Sequence, residues 1–218
     1  EKILEMLNEA KQNNFDLYGY RMDFVDENYN QISENEKHPL TYNKPMSGVE
    51  CLIQGYQPSS ICVFLFKRTL LINNKLRIYP KITHMDIEFM TRVMLCAKKV
   101  IFKDIIAYHY LQRPGSITKP KTIHKLEKFL FDEVVISKLM KDTIQNYKLT
   151  NKETIEAVEK NYNSVVWNLI WRFVSKHKEV DYDFKIKCLN ALKDSNLYPI
   201  QGELKTSFQK MSSILFNS

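Results

Sequence analysis

The strongest constraint on this chain is a periodicity. Across residues 152–177, Ile155, Val158, Tyr162, Val165, Val166, Leu169, Ile170 and Phe173 recur at helical spacing. Segments 121–147, 183–193 and 203–216 read the same way, and no strand-like run interrupts them. Everything beyond Pro120 is therefore expected to be helical, as a bundle or as helices appended to a sheet. Trp167 and Trp171 lie one turn apart near Arg172, Lys176 and Lys178. That pair suits core packing, and also a peripheral membrane contact.

The proximal half alternates. Residues 1–13 form a helix with Ile3, Leu4, Leu7 and Ala10 on one face, and 15–25 a strand. The polar stretch 31–45, with two prolines, is expected to be an exposed loop. Ser47 caps a helix over 49–56, with Glu50 completing the Ser-x-x-Glu box. The apolar run 61–66 reads as a buried strand and 69–73 as a short helix.

Next comes the stretch with the most chemistry. Thr83-His84-Met85-Asp86 opens a helix with Phe89, Met90, Val93, Met94 and Ala97 on its buried face; Glu88 and Arg92 sit on the other, and Lys98-Lys99 close it. Two short strands, 100–102 and 105–111, lead to Arg113-Pro114-Gly115-Ser116, a type II turn by its Pro and Gly. A carboxylate at a helix start is a competent general base when partly desolvated. Thr83-x-x-Asp86 also reads as a capping pattern, and the two readings are compatible. An Arg and a Ser beside a Gly-containing turn can hold phosphate oxygens. His109 alternates with Tyr108 and Tyr110 and so points away from their face.

Composition narrows the classes. With 218 residues, 44% hydrophobic and 26% charged, the chain is an ordinary globular one, long enough for one large or two small domains. No apolar run approaches the roughly 20 residues needed to cross a bilayer. Cys51, Cys62, Cys96 and Cys188 are scattered without metal-site spacing, which points to reduced thiols in a cytoplasmic compartment. The net charge of +7 comes with no nucleic-acid-binding motif or basic stripe, so nucleic acid is not an expected partner. Asp181-Tyr182-Asp183 is the one Asp-x-Asp triplet, and its place suits a helix N-cap, so no metal ligand is assigned.

The order H-x-D-x-x-F, then Y-x-Y-x-x-R-x-x-S-I-T, running from His84 to Thr118, resembles the acceptor half of family-2 glycosyltransferases of the GT-A fold. Ser60–Arg68, Leu71 and Asn74-Lys75-Leu76 extend the likeness upstream, as do Glu1–Leu7 and Asn14–Leu17. Met85 departs from the Glu-Asp pair usual there.

The resemblance implies an α/β class, an α+β fragment. Residues 1–120 would be a partial GT-A-type mixed sheet with flanking helices, and 121–218 an all-helical C-terminal region. Asp86 would be the catalytic base, with Arg113, Ser116 and His109 toward the donor diphosphate. The nucleotide-binding half, with an Asp-x-Asp holding Mg or Mn, is expected upstream of Glu1, leaving the fragment alone inactive. The implied activity is transfer of a sugar, with inversion, from a nucleotide-sugar donor to a saccharide or lipid-linked acceptor, in bacterial surface polysaccharide synthesis. A peripheral membrane contact and a homo-oligomer are left open. The rival reading is a non-catalytic helical interaction or oligomerisation domain.

Overall fold

The computed structural model describes residues 2–34, 37–113 and 122–217. They fall into two compact units, Glu1–Tyr79 with Phe89–Ser116, and Pro80–Glu88 with Ile117–Ser218.

The first unit is a mixed four-stranded sheet with helices. Helix α1 (Lys2–Gln12) leads into the central strand β1 (Leu17–Val25). Strand β2 (Gln31–Glu34) and strand β3 (Phe64–Phe66) pair antiparallel to β1, and β4 (Val100–Leu111) runs parallel to it. The start of the expected 31–45 loop is thus a strand: the Asp26 side chain accepts from the Asn28 and Asn30 amides and closes a hairpin. The two strands expected at 100–111 are one. Its register against β1 slips between Gly19 and Met22, a bulge that absorbs the polar Lys103-Asp104 step without ending the strand. Residues 61–63 form a 3-10 turn before β3, so the expected strand 61–66 is shorter.

Helix α2 (Gly48–Ile53) carries the expected capping box, with Ser47 Oγ accepting from Glu50 N and Glu50 reaching back to Ser47 N. Its N-terminus abuts the end of helix α4 (Met85–Cys96): a Cβ on Gly48 would lie 2.1 Å from the Met94 carbonyl oxygen. Only glycine fits that approach. Tyr56, Phe64, Phe66, Phe89 and Phe102 pack edge-on or tilted as the aromatic centre of the unit. Met6 and Phe15 fasten α1 against Tyr18 and Ile101.

In the second unit, α5 (Ile123–Asn146) and α6 (Lys152–Ser175) pack along each other, joined by the short connection 147–151. Helix α7 (Tyr182–Asp194) packs on α5, and α8 (Ser207–Asn217) on α6. Thr122, Asn151 and Asp181 cap the first three, so the Asp-x-Asp triplet serves a helix N-terminus. Leu130, Ile136, Met140, Val158, Val166, Leu169 and Leu192 form the core. Trp167 is buried, stacks on Trp171 at 5.4 Å and donates to Ser212 Oγ, while Trp171 sits at the rim against Phe208.

Helices α1, α3 (Arg68–Asn73), α5 and α7 stop alike. Asn14, Lys75, Lys148 and Asn196 take left-handed backbone, and the next residue, Phe15, Leu76, Leu149 or Leu197, bonds back five residues. This is the Schellman stop with its apolar follower, here without glycine.

Candidate functional site

Two groups of side chains carry chemistry, one in each unit. The first surrounds the start of α4. Lys81 and His84 both have left-handed backbone, with φ of 65° and 57°. For side-chain-bearing residues such conformations cost about 1 kcal/mol each and persist only where neighbours hold them. The holder is α5. Asp132 Oδ2 accepts from Thr83 N and Thr83 Oγ1, both at 2.8 Å, and from Lys128 Nζ at 2.6 Å. Lys128 Nζ also donates to the Lys81 carbonyl at 2.9 Å. Bonds to a charged acceptor contribute about 2 kcal/mol each, enough to outweigh the backbone strain.

The His84 ring lies 4.1 Å from Phe129, with Nε2 3.6 Å from Glu133 Oε1. Arg172, from α6, donates through Nη2 to the same oxygen. Burial pushes His84 down to about 4, Arg172 adding to that effect. Burial raises Glu133 to about 7 against the pull of Arg172. His84 Nε2 and Glu133 Oε2 have no hydrogen-bond partner among the described residues.

Asp86 is the second residue of α4, half-buried, with Oδ1 accepting from Ile87 N at 3.2 Å. Burial raises its carboxyl above the usual range, while its own amide and that of Ile87 pull the other way. A raised carboxylate is a stronger base once ionised. Of the expected capping pattern the acid's part is present, Asp86 Oδ1 accepting from Ile87 N, while the Thr83 hydroxyl donates to Asp132. Glu88, expected on the outer face of α4, is buried, and Met85 is exposed.

The second group lies on the sheet. Parallel β1 and β4 set Asp23 opposite His109, and His109 Nδ1 stands 2.6 Å from Asp23 Oδ1. Asp23 is buried and His109 exposed, its side chain 62% accessible. A carboxylate on Nδ1 fixes the proton there and leaves Nε2 facing outward. Tyr108 and Tyr110 pack on each other, as the alternation implies. Arg113 is exposed just beyond β4, where Gln112 N still bonds the Val25 carbonyl. Ser116 and the expected type II turn lie outside the described residues.

The structure thus joins His109 to Asp23, with Arg113 just past the end of the same strand, and places Asp86 in the other unit with the acids of α5. Sequence reasoning missed Asp23, Asp132, Glu133 and Arg172. Among the described residues, no three His, Cys, Asp or Glu side chains cluster as metal ligands. Nor is any described helix long and apolar enough to cross a membrane.

No family model and no curated protein matches the sequence. Solved structures do. The chain is similar to Staphylococcus aureus TarS residues 1–349, crystallised with UDP-GlcNAc, at a TM-score of 0.61 and 13% identity. That match covers 89% of this chain and 52% of the other. A second TarS crystal structure matches at a TM-score of 0.50 and 12% identity, over 89% of this chain and 31% of that one. The chain spans about half and about a third of these two neighbours. At such identity the likeness is one of fold alone.

Proposed function

We propose that this chain is part of a family-2-like, inverting glycosyltransferase of the GT-A type, acting on a nucleotide-sugar donor. The observation that carries the reading is a half-buried carboxylate, Asp86, in the first turn of a helix within a glycosyltransferase-like fold. The UDP-GlcNAc held by one TarS neighbour supports a nucleotide-sugar donor.

In this reading Asp86 takes the proton of an acceptor hydroxyl as that oxygen bonds to the anomeric carbon. The carbon–oxygen bond to the diphosphate breaks on the opposite side, and the departing nucleoside diphosphate keeps the electron pair. By the family resemblance, the donors to the developing charge would be Arg113 and Ser116. His109, steadied through Nδ1 by Asp23, donates from Nε2 when protonated. No step is assigned to a metal. The acceptor class this reading favours is a saccharide or lipid-linked saccharide of a bacterial surface polymer, met on the cytoplasmic side.

The test is nucleotide-sugar turnover by the full-length protein, wild type against Asp86→Asn, with Mg or Mn supplied. Turnover that collapses at least a hundredfold in the variant, at unchanged melting temperature, is expected. Equal turnover in the two proteins removes Asp86 from the mechanism, and a folded wild type that turns over no donor removes the transferase.

One observation favours the rival reading of a helical interaction domain. Phe208, Met211, Ile214 and Leu215 of α8 are all exposed. Loss of an oligomer on Met211→Lys with Ile214→Lys, measured by light scattering, would support it.

A further inference from the structure

The acids of α5 stand where a helix pair should bury apolar side chains. Leu126, Leu130, Glu133, Ser137 and Met140 follow one another at heptad spacing, all buried, and Asp132 beside them is 6% exposed. Apolar residues at Asp132 and Glu133 would stabilise the helices at least as well, since buried ion pairs seldom repay their desolvation. What the acids do uniquely is reach residues 81–84, the segment that starts α4 and ends two residues before Asp86. Asp132 holds both the amide and the hydroxyl of Thr83, and shares Lys128 with the Lys81 carbonyl. Glu133 lies against His84 and is itself fixed by Arg172. Two left-handed residues, Lys81 and His84, are thereby pinned from the neighbouring helices.

We infer that Asp132, backed by the Glu133–Arg172 pair, is a positioning device that sets where the Asp86 carboxylate stands. The inference rests on the transferase reading above, with Asp86 as base. Misplacing a reacting group by about 1 Å can cost about a hundredfold in rate. A turn held in a strained backbone conformation is the kind of element that moves when its anchor is removed.

The experiment measures kcat and KM for the donor, melting temperature and amide hydrogen exchange over 81–88 in the full-length protein. The variants are Asp132→Ala, Asp132→Asn, Thr83→Ala and Thr83→Ser. In Asp132→Ala, kcat is expected to fall at least tenfold with donor KM within twofold. Exchange at Thr83 and the following amides should speed up at least tenfold. Asp132→Asn and Thr83→Ser, which keep an acceptor and a hydroxyl, should recover most of kcat. Thr83→Ala removes one side-chain bond from a surface segment and should lower kcat about threefold even if Asp132→Ala proves too unstable to assay. Exchange over 81–88 that ignores these variants overturns the inference, whatever the activity. So does turnover that needs Asp86 but is unchanged in Asp132→Ala and Thr83→Ala, and that result leaves the transferase standing. A wild type that turns over no donor overturns both.

Discussion

Replacing Glu133 by Gln should make stability depend on pH in a way wild type does not. The Glu133 carboxyl rises from an ordinary value near 4.5 to about 7, mainly by burial. The folded state therefore holds its proton more tightly than the unfolded chain does, so this group favours folding at low pH. Its contribution is lost as pH rises from about 4.5 to about 7. At about 1.36 kcal/mol per unit, that loss is about 3 kcal/mol. His84 works in the opposite sense. Its imidazole drops from 6.5 to about 4, so its protonation opposes folding below that range, and stability rises as pH climbs from about 4 to 6.5. Across the shared window the unfolded chain carries the proton on His84 and the folded one carries it on Glu133. The two slopes cancel. Gln cannot titrate, so Glu133→Gln should gain about 3 kcal/mol relative to wild type between pH 4.5 and 7. Urea melts followed by tryptophan fluorescence suit the test, because Trp167 and Trp171 lie in the same unit and urea does not screen charge. A difference that stays flat, or shrinks as pH rises, would mean that Arg172 keeps Glu133 ionised in the fold and would refute the reasoning.

Two further outcomes follow from geometry. Gly48→Ala places a methyl 2.1 Å from the Met94 carbonyl oxygen, backbone against backbone, and should cost about 3 kcal/mol in a urea melt. A wild-type midpoint would mean that α2 and α4 do not meet as described. Asp23→Ala removes the partner of His109 Nδ1 at 2.6 Å. Nitrogen-15 shifts should move from a single Nδ1-protonated tautomer to a mixture, and donor KM should rise about tenfold, the worth of one such bond. An unchanged tautomer would remove Asp23 from the site.

What was legible in the sequence is what local chemistry decides. The stripe on α6, the Ser47–Glu50 box and the Asp181 cap each depend on residues within a turn or two of one another, and all three form. The failures have longer causes. Strand β2 forms because β1 offers an edge and Asp26 shapes the turn, although Gln31–Glu34 is exposed throughout and lacks the alternation of a half-buried strand. Strand β4 crosses Lys103-Asp104 because pairing with β1 resumes after the bulge, and Asp104 finds Arg21 on the neighbouring strand. Thr83 looked like a cap because it stands three residues before Asp86. Asp132, 49 residues away, claimed its hydroxyl.

The same division runs through the candidate site and says where a signal was still to be had. Asp86 and His109 could be singled out because short motifs carry them, whereas Asp23, Arg172 and the α5 acids act across strands or helices. Yet Glu133 was not silent. Set against the stripe Leu126, Leu130, Ser137 and Met140, it occupies the inward position of a long helix. A charge there costs stability unless something pairs with it. Read as an unmet demand, that position calls for a hydrogen-bond donor on the facing helix, and Arg172 supplies it.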